Sequence, residues 1–135
     1  SKYSIINQHF HFSYYKSRQG MFQDVVTDAD LYKDFHSSLM KEFCEENLEF
    51  YRDAVLFERM PSNDTGAILK SAQHICDKYF GFSTGENIVH LDPWQARLIK
   101  ERLNQPTKTI FVELREEVEQ LLQMKFMHFV TPSSE

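Results

Sequence analysis

The chain has 135 residues, of which only four are glycine and four are proline, about half the share found in an average protein. Many-stranded sandwiches, collagen-like repeats and flexible linkers need more turn residues, so these classes are disfavoured. The net charge of −5 gives no electrostatic support to nucleic-acid binding, and no apolar run is long enough to span a membrane. At this length we expect one domain with its own hydrophobic core.

Cysteine and histidine usage gives a first indication of compartment and cofactors. Cys44 and Cys76 lie far apart in a chain large enough to fold without disulfides, which fits a reducing compartment. The first residue is Ser rather than Met, so we expect a fragment of a longer protein. His9 and His11 have no Cys or His companion at ligand spacing, and no metal or other cofactor is therefore predicted.

The first clear helical pattern covers residues 28–43. Apolar residues recur there at every fourth position, and the polar residues between them, Asp34 among them, mark the solvent side of an amphipathic helix. Thr27 and Asp30 resemble a capping pair at its start. The pattern predicts a helix that begins near Asp28.

A second helix is predicted over residues 45–59, where two apolar stripes indicate burial on most sides. Its first turn carries the acidic residues Glu45, Glu46 and Glu49. These carboxylates could be imagined as an acid–base pair, but the helix dipole accounts for them without catalysis. Since the chain also lacks a glycine-rich phosphate loop, chemistry by its own residues is disfavoured.

Two further helices flank a connection over residues 82–91. The first is predicted over 68–80, with Asn63 or Asp64 as its cap. Asp92 followed by Pro93 marks the start of the next helix, and Gln95 is placed to complete a capping box. Loops between rigid helices often carry binding residues, although a plain connector is equally compatible with this composition.

A last long helix begins near Ile110, and its apolar side extends to Val130. The first 20 residues are ambiguous, because Ile5, Ile6, Phe10 and Phe12 could pack on the bundle either as helix or as extended chain. Together the patterns predict an all-α bundle of six to nine helices.

One stretch of the second predicted helix resembles a family motif. The run Glu42-Phe43-Cys44-Glu45-Glu46-Asn47-Leu48-Glu49-Phe50-Tyr51 is similar to the E-F/Y-S-E-E-N-I/L-x-F-W pattern of RGS (regulator of G-protein signalling) homology domains. The family's apolar spacing is matched upstream and downstream, at Phe22, Val25, Val26, Leu31, Phe35, Ala72, Ile75, Leu91-Asp92, Pro106 and Phe111. The resemblance covers residues 21–130.

The resemblance implies an RGS-like all-α bundle of about nine helices that grips the switch regions of a heterotrimeric G-protein α subunit (Gα). Such a domain donates no general base and instead holds the catalytic groups of Gα in place. The family's Glu-Asn contact pair corresponds to Glu46 and Asn47. The resemblance also requires a turn at Phe43-Cys44, although neither glycine nor proline occurs there.

Several family contact positions are altered in this chain. His90, just before Leu-Asp, stands where the family usually has an Asn, and Cys44 replaces the usual Ser. Near the C-terminus, Met124 or Lys125 occupies the position of the family's Asp and His128 that of its Arg, while the apolar contact at Leu121 is kept. The candidate Gα-binding residues are therefore Glu46, Asn47, His90, Asp92, Leu121 and His128.

Two functions follow from the resemblance. The first is binding to the GTP-bound or transition-state form of Gα with acceleration of its GTP hydrolysis, which terminates signalling. The alternative is a scaffold or effector-type binding module without such activity, within a larger protein. We expect an N-terminal extension or first helix over 1–20, the RGS homology domain over 21–130 and a tail over 131–135. The expected location is the cytoplasm, at the cytoplasmic face of the plasma membrane.

Overall fold

A computed structural model describes residues 21–131, and every regular element in this range is helical. A short 3-10 helix, Met21–Asp24, precedes five α-helices: α1 (Ala29–Met40), α2 (Glu45–Glu58), α3 (Thr65–Ile75), α4 (Pro93–Arg102) and α5 (Val112–Val130). A π-helical segment, Cys76–Phe80, continues α3. The all-α prediction is confirmed for the described residues, whereas the alternatives for residues 1–20 lie outside them.

The chain divides into two compact units. The described part of the first consists of residues 21–45 and 120–131, and the second consists of residues 46–119. In the first unit Phe35 of α1 packs against two rings of α5, with centroids 5.2 Å from Phe126 and 5.4 Å from Phe129. Phe22 contacts Phe126 as well, at 5.6 Å. An aromatic cluster therefore joins α1 to the end of α5.

The second unit has its own aromatic core. The ring of Phe111 lies 5.3 Å from that of Phe57 and 6.1 Å from that of Phe80. Phe50 packs edge-on against Tyr79 at 5.5 Å. Because Phe50, Tyr51, Ala54 and Phe57 are all buried, the two apolar stripes predicted for this helix do face the core.

The helix α1 begins near Asp28 as predicted, but its cap differs from the predicted Thr27–Asp30 pair. Its N-cap is Asp28, whose Oδ1 accepts a hydrogen bond from the backbone N–H of Leu31 at 3.1 Å. The Thr27 hydroxyl instead donates to the Asp24 carbonyl in the preceding turn. Asp34 is buried rather than exposed, because it lies three residues after Leu31 and so at the edge of the apolar face.

Candidate functional site

The turn between α1 and α2 is closed by backbone hydrogen bonds. The Leu39 carbonyl accepts bonds from the backbone N–H groups of Glu42 at 3.0 Å and Cys44 at 3.2 Å, and the Met40 carbonyl accepts one from Phe43 at 3.2 Å. Phe43 has a φ of 58°, in the left-handed region, and its side chain is 89% exposed. This turn confirms the break at Phe43-Cys44 that the resemblance required.

Glu46 and Asn47 lie in the first turn of α2, immediately after that turn. Both are half-buried, and the next residue, Leu48, is completely buried. Leu48 fixes the orientation of the helix through its contact with the core. The carboxylate of Glu46 and the amide of Asn47 therefore lie in the first turn of a helix whose direction is set by the packing of Leu48.

The loop that carries His90 is held by its buried neighbours. Val89 and Leu91 are buried on either side of the exposed His90, and the Tyr79 carbonyl accepts hydrogen bonds from the backbone N–H groups of Ile88 and Val89 at 2.9 Å each. The alternation leaves the imidazole in solvent, with a side-chain exposure of 84%.

Asp92 connects this loop to α4. Its carboxylate lies 3.1 Å from Nε2 of His90, and its backbone N–H donates to Oε1 of Gln95 at 2.9 Å, which confirms the capping box. Nε2 of the buried Gln95 donates to both carboxylate oxygens of Glu117 at 3.1 and 3.2 Å. The end of the loop is thereby attached to α5.

Leu121 and His128, the remaining two candidates, lie in the first unit, two turns apart on α5. Leu121 is 38% exposed and His128 is also exposed. Between them, Nζ of Lys125 donates to Oε1 of Glu42 at 2.7 Å, and this hydrogen bond raises the pKa of Lys125. The structure thus brings His90 and Asp92 into direct contact, and keeps Glu46 and Asn47 adjacent on one helix turn.

No local pattern in the sequence predicts three of the side-chain contacts. The pairs Glu42–Lys125 and Gln95–Glu117 join residues distant in the chain, and Arg115 of α5 binds Glu58 of α2 through two bonds of 2.9 Å. Arg115 also donates to Glu119 at 3.0 Å, and the hydrogen bond to Glu58 is the main reason that its pKa is raised. No periodicity or motif points to such pairs, because ion pairing over long separations depends on the tertiary fold.

A cavity of about 500 Å³ lies in the second unit and is lined mainly by α2 and α3. Asp53 on its wall accepts hydrogen bonds from the Tyr79 hydroxyl at 2.5 Å and from Lys78 at 3.4 Å. None of the six candidate residues lines this cavity. It is therefore separate from the candidate binding residues.

Two kinds of feature are absent from residues 21–131: clusters of metal-binding side chains and helices that could span a membrane. No cluster of three or more His, Cys, Asp or Glu side chains in this range could hold a metal ion. No helix there combines the length and the hydropathy that a membrane crossing requires. His9 and His11 lie outside the described residues.

Comparison with known families identifies the fold. The family model of the regulator of G protein signaling domain matches residues 21–132, and a comparison with curated proteins gave no match. The match covers most of the chain and includes both the Glu46-Asn47 motif and the five helices described above. The chain therefore belongs to the RGS domain family, whose members regulate G-protein signalling.

Proposed function

We propose that residues 21–130 bind the switch regions of a GTP-loaded Gα and accelerate its GTP hydrolysis. The observation that carries this proposal is the family match, which includes the Glu46-Asn47 pair at the start of α2. The domain acts as a GTPase activator with no active site of its own. It stabilises the Gα conformation of the transition state, which is catalysis by positioning and electrostatic preorganisation.

Each candidate residue has a role suited to its chemistry. The Asn47 amide both donates and accepts hydrogen bonds, so it can bind backbone groups of a switch, and the Glu46 carboxylate accepts from N–H groups. Leu121 supplies an apolar contact, and His128 a polar one. His90 offers a ring nitrogen from the loop, while Asp92 orients the imidazole through their 3.1 Å contact.

A binding module without acceleration is the second candidate, and one observation favours it. Nε2 of His90 is already engaged by Asp92, which leaves one ring nitrogen for a partner. An imidazole in this state cannot copy the paired donor and acceptor of an amide. In this case the domain would bind Gα tightly without ordering the groups that hydrolyse GTP.

The proposal includes a location. Gα subunits signal at the cytoplasmic face of the plasma membrane, and the domain would act there through this partner or through other parts of a longer protein. By accelerating hydrolysis it would terminate the signal.

Binding to different nucleotide states of Gα tests the proposal. The domain should bind Gα with GDP and aluminium fluoride more tightly than Gα with GDP alone. Asn47→Ala should weaken the tighter complex by roughly tenfold or more, as expected for a central interface residue. Asn63→Ala, in an exposed loop, is the matched control and should have no effect. Equal affinity for both nucleotide states would contradict the proposal.

A further inference from the structure

His90 and Asp92 form a pair of side chains where the loop enters α4. Nε2 of His90 lies 3.1 Å from Oδ1 of Asp92, and the two side chains are 84% and 52% exposed. The loop backbone behind them is fixed, because Val89 and Leu91 are buried and the Tyr79 carbonyl accepts a hydrogen bond from Val89. The pair is therefore held on a rigid support, with both side chains accessible to a partner.

The contact with Asp92 determines which ring nitrogen of His90 is available. An ionised carboxylate only accepts hydrogen bonds, so we assign a proton to Nε2. In the neutral imidazole the other nitrogen, Nδ1, is then an acceptor. When His90 binds a second proton, Nδ1–H becomes a donor. Protonation thus reverses the hydrogen-bonding role of the ring nitrogen that faces away from Asp92.

The other charged groups around this loop do not contact His90. Within residues 21–131, Asp92 is the one charged side chain that does so. Glu86 of the loop and Arg97 of α4 are exposed. The remaining charged side chains on the neighbouring elements have contacts elsewhere: Asp77 with Ser83, Lys78 with Asp53, Lys100 with the ring of Phe82, and Glu117 with Gln95. The charge state of His90 is therefore coupled mainly to Asp92.

Burial of the pair under a partner favours the protonated imidazole. A carboxylate that loses its solvent is costly unless a cation pairs with it, and a nearby opposite charge favours the charged form of a histidine. With a neutral imidazole the pair would carry a net negative charge into the interface. With an imidazolium the two charges cancel, so the pair is less costly to bury.

The protonated pair also offers a partner two complementary functions. Nδ1–H of His90 donates, and the Asp92 carboxylate, which can accept several hydrogen bonds at once, still accepts beside it. This combination of a donor and an acceptor is what an amide side chain offers. With a neutral imidazole both groups present only acceptors to a partner.

We propose that His90 and Asp92 act together as a proton-dependent contact, and that Gα binding is coupled to the uptake of a proton at His90. This inference rests on the proposed function and adds a form of regulation to it. Because the imidazolium is the state of higher affinity, binding becomes stronger as the pH falls through the range in which histidine titrates, about pH 8 to 5.

Calorimetry measures the coupled proton directly. Binding to Gα with GDP and aluminium fluoride is followed at about pH 7.5 in buffers of different ionisation enthalpy, which gives the number of protons taken up. His90→Asn should lower this number by roughly one, because an amide does not titrate. His74→Asn, at an exposed histidine of α3, is the matched control and should leave it unchanged.

The pH dependence of the affinity gives a second measurement. Relative to His90→Asn under the same conditions, the unmodified chain should bind roughly tenfold more tightly at pH 6 than at pH 8. Asp92→Asn keeps a good helix cap but removes the charge, and it should lose most of this dependence.

The possible results distinguish this inference from the proposed function. Equal proton uptake by the unmodified chain and His90→Asn would overturn the inference, as would tighter binding of the unmodified chain at pH 8 than at pH 6 on the same relative scale. If Asn47→Ala still weakens binding in that case, the proposed function stands. Failure of the unmodified chain to bind any α subunit tested between pH 6 and 8 would overturn both proposals.

Discussion

Phe43 and Gly81 have nearly the same backbone φ, 58° and 63°, yet only Gly81 requires glycine. A Cβ atom built on Gly81 would lie 2.1 Å from the carbonyl oxygen of Glu86 and 2.6 Å from its nitrogen. The loop backbone occupies the space that a side chain would need. At Phe43 the side chain extends into solvent, and the turn is closed by bonds to the carbonyls of Leu39 and Met40.

The difference shows two ways of maintaining a left-handed residue. At Gly81 the conformation is required by close packing, because the returning loop contacts the glycine directly. At Phe43 it is held by hydrogen bonds against the intrinsic preference of an L-residue, which costs about 1–2 kcal/mol. The first is a structural necessity, whereas the second leaves the aromatic side chain exposed to solvent.

Substitution of Gly81 should have the largest effect on stability. Gly81→Ala combines left-handed strain with overlap against Glu86, so we expect the free energy of unfolding to fall by about 4 kcal/mol. Gly85→Ala is the matched control: its φ is 79°, but no atom lies within 4 Å of the added Cβ, and it should cost only about 1 kcal/mol. Urea denaturation measures both. Equal losses would show that packing against Glu86 is unimportant.

The ion pairs of Arg115 test how much side chains, rather than backbone packing, stabilise the unit that contains Gly81. Arg115→Met would leave Glu58 and Glu119 without their cation. Because Arg115 and Glu58 are half-buried, we expect a loss of about 2 kcal/mol, between the values for breaking exposed and buried ion pairs. Lys78→Met removes an exposed pair with Asp53 and should cost less than about 1 kcal/mol. Thermal unfolding followed by circular dichroism measures both, and similar losses would contradict this explanation.

Phe43→Gly should stabilise the protein, whereas the substitutions at Gly81 and Arg115 should destabilise it. Glycine adopts the left-handed conformation without strain, so we expect the free energy of unfolding to rise by about 1 kcal/mol. A destabilised variant would show that Phe43 makes essential packing contacts, in conflict with its exposure.

Each of the two regions also carries a cysteine, and the two thiols differ in burial. Burial raises the pKa of Cys76, in the segment before Gly81, from 9.0 to about 12, whereas Cys44 is half-exposed. Between pH 9 and 12 the folded state therefore binds more protons than the unfolded state, and stability falls as the pH rises. From pH 8 to 9.5 the free energy of unfolding should fall by about 1 kcal/mol.

Chemical denaturation over this pH range measures the loss, with Cys76→Ala as a control that should lack the Cys76 contribution. Iodoacetamide at pH 8 provides a second measurement. It should modify Cys44 in the folded protein and Cys76 only after unfolding. Rapid modification of Cys76 in the native state would contradict its burial.

The helices could be predicted from the sequence because each has a local pattern. The capping box at Asp92 and Gln95 and the apolar spacing of α3 are properties of neighbouring residues, and both are observed. The predicted cap of α1, Thr27, was wrong by one residue. Thr27 and Asp28 are both good caps, and the Asp24 carbonyl binds the Thr27 hydroxyl. Local chemistry alone did not distinguish them.

The candidate site could be predicted only in part. The motif points to Glu46 and Asn47 as candidates, but no local pattern indicates that Lys125 binds Glu42 or that Gln95 binds Glu117. The burial of Asp34 was also missed, because an acidic residue at the edge of an apolar stripe is usually solvated. These features depend on which helices pack together, and a single sequence does not specify that directly.

Single-turnover GTP hydrolysis tests the central claim most directly. A purified Gα is loaded with GTP, and phosphate release is followed with and without the domain. We predict faster hydrolysis with the unmodified chain and the rate of Gα alone with Asn47→Ala, while Asn63→Ala retains the acceleration. Tight binding to the aluminium fluoride form without any acceleration would contradict GTPase activation and establish the domain as a binding module.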